Sequence, residues 1–275
     1  MSAPLLEIRD LSVEFVQDTG AVRAVRGVSI DVPRGKTLGI VGESGSGKTS
    51  VALSIPRLLA SRGRIAAGKI LWRATDEAAP VDLVSLDAEA LRRIRGKQIG
   101  VVFQEPATAL NPVYTVSEQV AECARLHLGL SRADARACAI DWLARVGIPA
   151  AASRADDYPH TLSGGMRQRV TIAMALIAGP ALLIADEPTA SLDVTVQAQI
   201  LDLLREEQRK SGLSAIVVTH DLGVVAELAD EIAVMHQGEI VERGPVDAVL
   251  SKPSHPYTIS LLAAETPAPI WTRHA

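Results

Sequence analysis

The stretch LGIVGESGSGKTS, residues 38–50, decides how this chain is organised. Its apolar beginning, LGIV, predicts a buried strand, and the segment TSVALSIPRLLA, residues 49–60, predicts a helix. The turn between them, GESGSGKT, matches the pattern G-x-x-x-x-G-K-[ST] in full. A strand, a glycine-rich turn and a helix in this order predict a loop that binds the phosphates of a nucleotide.

The turn contains the residue types that phosphate binding requires. Glycines let backbone N–H groups approach phosphate oxygens, and a helix N-terminus favours negative charge. We expect Lys48 to contact the β- and γ-phosphates and the Thr49 hydroxyl to bind Mg²⁺. The alternative is a plain glycine-rich turn with an exposed lysine. The predicted phosphate loop consists of Gly42, Glu43, Ser44, Gly45, Ser46, Gly47, Lys48, Thr49 and Ser50.

An acidic pair ends the apolar segment ALLIADE, residues 181–187. Asp186 can hold Mg²⁺ through its water shell, and Glu187 can orient or deprotonate an attacking water. Such a pair is common at strand ends. Together with Lys48 and Thr49, however, it predicts a site that hydrolyses a nucleotide.

The stretch YPHTLSGGMRQRV, residues 158–170, is unexpected in a chain that already has a phosphate loop. Within it, Ser163 is followed by Gly164 and Gly165. A hydroxyl and two glycines at the start of a helix are suited to binding phosphate. The sequence therefore predicts two phosphate-binding elements more than a hundred residues apart.

Composition argues against nucleic-acid binding and against a membrane span. Aromatic residues make up 3% of the 275 residues and the net charge is −4, which disfavours base stacking and a basic binding surface. Cys123 and Cys138 fit neither a disulfide framework nor a metal spacing, which favours a reducing cytoplasm. The N-terminus does not resemble a signal peptide. The uncharged run 170–185 is shorter than a span of roughly 20 residues and is interrupted by Gly179-Pro180, so it predicts a buried helix, a turn and a buried strand.

Strands that alternate with helices predict an α/β fold with a largely parallel sheet and ligands at the carboxyl ends of its strands. Residues 5–15 and 25–32 alternate in polarity and predict antiparallel strands, and Gln237-Gly238 predicts a hairpin turn. An alanine- and leucine-rich segment from about residue 107 to 151 predicts a helical insert. The proline-rich residues 251–275 resemble an appended tail.

Taken together, the motifs resemble those of the ATP-binding cassette (ABC) ATPases in their order and over nearly the whole chain. LSGGM resembles the cassette signature, and Gln104 in VFQEP resembles the Q-loop glutamine, which senses Mg²⁺ and the γ-phosphate. His220 in VVTHD resembles the switch histidine that contacts the γ-phosphate, and SLD, which ends in Asp193, resembles the D-loop. Phe15 in LSVEF stands where the family places an aromatic residue against adenine. Taken singly, Gln104 could be a surface glutamine and His220 a buried histidine bonded to a carbonyl.

This resemblance implies a P-loop NTPase with a RecA-like core, an antiparallel β subdomain and an inserted α-helical subdomain of the ABC type. It implies ATP and Mg²⁺ as ligands. The implied domains are a discontinuous nucleotide-binding core (1–105 and 170–250), a helical signature subdomain (106–169) and a C-terminal family tail (251–275).

The sequences that flank the motifs, and the tail motif HPYT at residues 255–258, resemble the dipeptide, oligopeptide and nickel importer ATPases. The resemblance implies the ATP-hydrolysing subunit of a bacterial importer. Relatives often carry a cysteine cluster for an iron–sulfur centre in the tail, but no cysteine follows Cys138, so we expect no cluster. A soluble ABC ATPase acting on nucleic acid or ribosomes, and an exporter ATPase, are the alternatives.

In this family two cassettes face each other, and the LSGGM of one closes over the ATP held by the other. The resemblance therefore implies a second ABC ATPase subunit as a partner, more often a paralogue than a copy of the same chain. It also implies two membrane permease subunits, an extracytoplasmic solute-binding protein as an indirect partner, and no nucleic acid. The expected location is the cytoplasmic face of the inner or plasma membrane. The solute stays open among peptides, nickel, glutathione and opines.

Overall fold

The structure, a computed structural model, describes residues 3–18, 20–190 and 192–265. An antiparallel sheet lies near the N-terminus, and its strands are β1 (Leu6–Gln17), β2 (Gly20–Val32), β4 (Gly63–Trp72) and β5 (Val81–Asp82). They lie in the order β2-β1-β4-β5. The antiparallel strands predicted from the alternating sequence are therefore confirmed.

A second, mixed sheet forms the centre of the molecule, and its strands are β3 (Thr37–Val41), β6 (Ile99–Val102), β7 (Leu182–Asp186), β8 (Ser214–Val218), β9 (Glu231–His236) and β10 (Glu239–Pro245). The order is β10-β9-β3-β8-β7-β6, and only β10 at the edge is antiparallel to its neighbour. Every residue of β3, β7 and β8 is buried, as expected for parallel strands covered on both faces. The hairpin turn predicted at Gln237-Gly238 joins β9 to β10.

Helices follow most of the central strands. The helices are α1 (Lys48–Ser54), α2 (Ala88–Ile94), α3 (Pro106–Ala109), α4 (Val116–Leu128), α5 (Arg132–Arg145), α6 (Ala151–Arg154), α7 (Gly164–Leu176), α8 (Val194–Ser211), α9 (Leu222–Leu228), α10 (Val246–Ser251) and α11 (Pro256–Glu265), with a 3₁₀ turn at Pro159–Thr161. The helical insert predicted from about residue 107 to 151 contains α3, α4 and α5, and α6 follows it. The architecture is thus the predicted one, an α/β core with an antiparallel subdomain and a helical insertion.

The central sheet separates two hydrophobic cores. Successive residues of β7 point alternately into one core and the other. Leu183 and Ala185 belong to the core shared with α4, α5 and α7, whereas Leu182 and Ile184 belong to the core shared with the antiparallel sheet. The C-terminal end of α7 lies very close to β6. A Cβ atom added at Gly100 of β6 would stand 2.5 Å from the carbonyl oxygen of Ala175. The central sheet therefore supports the helical insert through α7.

Two local predictions need correction. The helix after the phosphate loop ends at Ser54 rather than near residue 60, because Pro56 has no N–H to continue it and Arg57 has a left-handed backbone with φ 54°. The segment 251–275 is not merely appended, because its residues up to 265 form the end of α10 and the whole of α11, and Leu261 is buried in a third hydrophobic cluster with Val41 and Ile232. Residues 266–275 lie outside the described part of the chain.

The boundaries given above for the individual domains stay a prediction. Helix α7 runs continuously across residues 169 and 170, so the boundary proposed there lies within one helix. Within the described residues, the helices include none that combines the length and the apolar character needed to cross a membrane.

Replacement of Leu261 by alanine tests whether α11 is part of the fold. Because the side chain is only 7% exposed, we expect L261A to lower the free energy of unfolding by about 2–4 kcal/mol in urea titrations. The matched control is I259A, because Ile259 lies on the same helix but is 49% exposed, and we expect it to cost less than about 0.5 kcal/mol. Equal effects of the two variants would contradict the packing of α11.

Candidate functional site

The phosphate loop connects the carboxyl end of β3 to α1 and is enclosed by backbone on two sides. Gly42 and Gly47 have φ angles of 146° and 104°, which side chains other than glycine's rarely tolerate. A Cβ atom would lie 2.1 Å from the Met235 carbonyl oxygen at Gly42, and 2.4 Å from the Ala24 carbonyl oxygen at Gly47. Strands β2 and β9 therefore fix the loop, and only glycine fits at both points.

Inside the loop, the Lys48 side chain is buried and folds back over the backbone. Its Nζ donates hydrogen bonds to the carbonyl oxygens of Gly42 (2.6 Å) and Glu43 (2.8 Å). The Ser46 hydroxyl is also buried and has no hydrogen-bond partner in the structure. A buried ammonium group and a buried hydroxyl without a partner are the groups that phosphate oxygens satisfy. The loop therefore fits a nucleotide phosphate.

The hydroxyl of Thr49 meets Asp186 at the end of β7. Thr49 Oγ1 donates a hydrogen bond to Asp186 Oδ1 at 3.2 Å. Burial raises the pKa of Asp186 above its ordinary value, although the hydrogen bond from Thr49 acts in the opposite direction. The described residues hold no cluster of three or more histidine, cysteine, aspartate or glutamate side chains suited to a metal. One carboxylate and one hydroxyl suit Mg²⁺, which takes few protein ligands and completes its shell with water and phosphate oxygens.

Glu187 is the most constrained residue of the site. Its backbone is left-handed, with φ 50°, which is uncommon for a residue other than glycine and is typical of functional sites. Its carboxylate accepts hydrogen bonds from Thr219 Oγ1 (3.1 Å) and from the His220 backbone N–H (3.1 Å). The imidazole Nδ1 of His220 lies 2.7 Å from Glu187 Oε1. The structure thus brings Glu187 and His220 into direct contact.

Sequence reasoning did not identify Thr219 as a residue that holds Glu187. Its side chain is buried, and its hydroxyl also accepts a hydrogen bond from the Asp221 backbone N–H at 3.0 Å. The sequence clue to this role was the position of Thr219 immediately before His220, at the end of β8, which lies beside β7 in the sheet. Adjacent parallel strands deliver their carboxyl ends to the same edge of a sheet.

The second predicted phosphate-binding element lies on a different part of the molecule. Ser163 is the N-cap of α7, and its Oγ accepts a hydrogen bond from the Met166 backbone N–H at 3.3 Å. Ser163 and Gly164 are exposed, and Gly165 is partly exposed. Helix α7 packs mainly against α3, α4, α5 and β6, whereas α1, which follows the phosphate loop, packs mainly against β1, β2, β7 and β8.

Three further predicted residues lie on separate elements of the structure. Gln104 is exposed and lies two residues beyond the end of β6. Asp193 is the N-cap of α8, and its Oδ1 accepts a hydrogen bond from the Val196 backbone N–H at 3.0 Å. Phe15 lies half-buried on β1 against the core of the antiparallel sheet. Their roles stay predictions, and Ser191 of the SLD segment lies outside the described residues.

Comparison with known proteins agrees with this geometry. The model of a family described as "ABC transporter" matches residues 25–190. The chain is 55% identical over 260 residues to a Brucella melitensis protein named "putative peptide import ATP-binding protein". The aligned region covers 94% of this chain and 77% of that protein. The chain is 49% identical over 262 residues to the glutathione import ATP-binding protein GsiA of Escherichia coli, which covers 94% of this chain and 42% of GsiA.

Two solved structures are similar in fold. The ATP-binding cassette MJ0796, in a dimeric post-hydrolysis state bound to ADP and Pi, superposes with a TM-score of 0.78 at 27% identity and covers 88% of this chain and 98% of that one. CbiO1 of Clostridium perfringens, part of the ABC transporter complex cbiONQ, superposes with a TM-score of 0.72 at 28% identity and covers 96% of each chain.

Replacement of Asp186 by asparagine tests whether its burial opposes folding. Because the folded-state pKa lies above the unfolded-state pKa, the folded protein holds the proton more tightly, and stability falls as the pH rises from the unfolded pKa through the folded pKa. Near neutral pH, D186N should therefore raise the melting temperature of the nucleotide-free protein, because it removes a buried charge.

The difference should shrink as the pH falls toward the ordinary aspartate range, where both side chains are neutral. The control is D141N, because Asp141 is exposed on α5 and its loss should leave the melting temperature unchanged at every pH. A destabilised D186N protein at neutral pH would show that the carboxylate stabilises the fold instead.

Proposed function

The chain belongs to the ABC transporter family of ATP-binding proteins, and from this membership we propose that it is the ATP-hydrolysing subunit of a bacterial importer for di- or oligopeptides. The observation that carries the proposal is the pairing of Thr49 with Asp186, and of Glu187 with His220, beside the phosphate loop. These four residues supply the groups that hydrolysis of a nucleotide requires. The names of the relatives support import, and peptide is the solute class that we propose.

ATP is held by the phosphate loop. Lys48 exchanges its backbone acceptors for phosphate oxygens, and the Ser46 hydroxyl gains a partner. Thr49 and Asp186, with Gln104 approaching from the segment after β6, would hold Mg²⁺, which neutralises charge on the phosphates when it is bound. Phe15 is proposed to pack against adenine.

Glu187 is the proposed general base. It takes a proton from a water molecule whose oxygen attacks the γ-phosphorus, while the bond to the bridging oxygen breaks and ADP leaves with the electron pair. The hydrogen bonds from Thr219 and His220 aim the carboxylate at that water. His220, whose side chain is 68% exposed, is also proposed to contact the γ-phosphate.

The second phosphate-binding element is proposed to act on the ATP of a second cassette. Lys48 and the loop amides cover one side of the γ-phosphate, and the other side needs donors from elsewhere. The exposed N-terminus of α7, with Ser163, Gly164 and Gly165, offers such donors, and α7 is a different helix from the one that follows the phosphate loop. Asp193 lies at the same proposed junction. The dimeric state of the MJ0796 cassette supports such a pairing, and a paralogous cassette is the proposed partner.

The helical insert is proposed to receive the membrane subunits. A groove of about 400 Å³ lies there, lined by both acidic and basic side chains, among them Glu118, Glu122, Arg125 and Arg136. Tyr114 lines the same groove and Val113 beside it is 70% exposed. An amphipathic cytoplasmic helix of a permease fits this mixture of charged and apolar groups. Two permeases would hold the chain at the cytoplasmic face of the membrane, and the solute-binding protein would act through them.

The decisive experiment measures ATP hydrolysis in proteoliposomes that contain this chain, its partner cassette and the two permeases. We expect solute-loaded binding protein to stimulate hydrolysis, and E187Q to lower the rate by about 10²-fold or more while ATP binding is retained. The matched control is E89Q, because Glu89 is exposed on α2. Stimulation by DNA, RNA or ribosomes instead would favour a soluble ABC ATPase, and stimulation by a solute on the cytoplasmic side would favour an exporter.

Replacement of Ser163 by arginine tests whether α7 acts on another subunit. We expect S163R to abolish the ATP-dependent association of the E187Q chain with its partner cassette in size-exclusion chromatography, because a long cation replaces the cap at the interface. ATP binding to the same chain should stay within about twofold, since no lost contact touches its own loop.

The matched control is S131R, because Ser131 is also an N-cap on the helical insert, where its Oγ accepts a hydrogen bond from the Asp134 backbone N–H. S131R should lose a similar cap energy of about 1 kcal/mol and still associate. If S163R weakened ATP binding to its own chain, the element would act within one subunit.

A further inference from the structure

The segment 254–262 lies beside the phosphate loop, although it is more than 200 residues away in sequence. Leu261 of α11 is buried against the cluster that includes Val41, the last residue of β3 before the loop. Tyr257 and Leu262 pack partly buried against the same cluster. Helix α11 is therefore fixed relative to the strand that delivers the loop.

Glu242 on β10 anchors the start of this segment. Its carboxylate accepts hydrogen bonds from the Ser254 backbone N–H (2.7 Å), the Ser254 hydroxyl (2.8 Å) and the His255 backbone N–H (3.0 Å). Burial alone would raise the pKa of Glu242, but the hydrogen bonds from the segment outweigh it and lower the pKa to about 2. The anchor is therefore charged at every physiological pH.

Two contacts orient the Tyr257 side chain. Its backbone N–H donates to Nδ1 of His255 at 3.2 Å, and its ring packs on the ring of His236, with centroids 3.9 Å apart and planes tilted by 32°. His236 follows Met235, the residue whose carbonyl oxygen excludes a side chain at Gly42. The phenol is thus held against the same strand end that encloses the loop.

The phenol oxygen of Tyr257 accepts a hydrogen bond from the Glu43 backbone N–H at 3.0 Å. This N–H belongs to the peptide group between Gly42 and Glu43, and the carbonyl of that same group accepts the hydrogen bond from Lys48 Nζ. Because a peptide group is planar, fixing its N–H also fixes the direction of its carbonyl. Tyr257 therefore determines how the first peptide of the phosphate loop faces Lys48.

We propose that Tyr257 is a positioning residue for nucleotide binding, which acts through the Gly42–Glu43 peptide and does not touch the nucleotide. A loop that is held in place loses less conformational freedom when ATP binds, and affinity rises accordingly. The inference rests on the proposed binding of ATP at this loop. It gives the HPYT segment a role in the ATP site of its own chain.

The test is Y257F in the full chain, which removes the phenol oxygen and keeps the ring on His236. We expect the Kd for ATP to rise about 2- to 12-fold, the range that corresponds to one hydrogen bond of about 0.5–1.5 kcal/mol. Turnover at saturating ATP in the transporter assembly should stay within about twofold, because the reacting groups are unchanged. The amide resonance of Glu43 should shift in the NMR spectrum of the nucleotide-free protein.

The matched control is Y158F, which removes a phenol oxygen from a tyrosine that is 42% exposed and lies outside the phosphate loop, and which should leave the Kd and the Glu43 resonance unchanged. E242Q, which weakens the anchor and keeps the phenol, should raise the Kd in the same direction as Y257F. It tests the same link if Y257F does not fold. A wild-type Kd and an unshifted Glu43 resonance in Y257F would overturn the inference. Failure of the wild-type protein to bind ATP would instead overturn the proposed function.

Discussion

The absence of room for a side chain at two points of the phosphate loop is the constraint on which the site depends. At Gly42 and Gly47 the loop backbone lies so close to carbonyl oxygens of β9 and β2 that a single added carbon would overlap them. The loop is therefore enclosed by both sheets at once, and any shift between the sheets would deform it. The same enclosure buries Lys48 and Ser46. The ammonium group of Lys48 and the Ser46 hydroxyl, which has no hydrogen-bond partner, therefore both lie where they suit a phosphate.

The two acidic residues of the site also adopt states that oppose folding. Asp186 is buried with a raised pKa, and Glu187 has a left-handed backbone that most residues avoid. Residues that follow the neighbouring strand β8 stabilise Glu187, because Thr219 and the backbone of His220 donate hydrogen bonds to its carboxylate. Parallel strands make this arrangement possible, since they bring separate segments of the chain to one edge of the sheet.

The sequence was sufficient to predict the elements whose pattern is local. The apolar strand and glycine turn around Lys48, the hairpin at Gln237-Gly238 and the helix start at Ser163 all depend on neighbouring residues, and the structure contains each of them. The contacts that hold Glu187 and Glu43 could not be predicted, because they join distant segments. The hydrogen bond between Glu43 and Tyr257 spans 214 residues, and nothing in either local sequence specifies the other. The end of α1 was misplaced because an apolar run continued past Pro56, where the backbone could not.

Because α7 packs closely on β6 near one end, a small tilt about that contact produces a larger displacement at its other end. Ala175 near its C-terminal end packs closely on Gly100, whereas Ser163 lies at the surface at its N-terminal end, twelve residues away. At about 1.5 Å per residue the arm is roughly 20 Å long, so a tilt of about 10° around the Gly100 contact moves Ser163 by about 3 Å. That displacement is as long as a hydrogen bond. A small tilt of α7 is therefore enough to make or break the contacts that its exposed end forms.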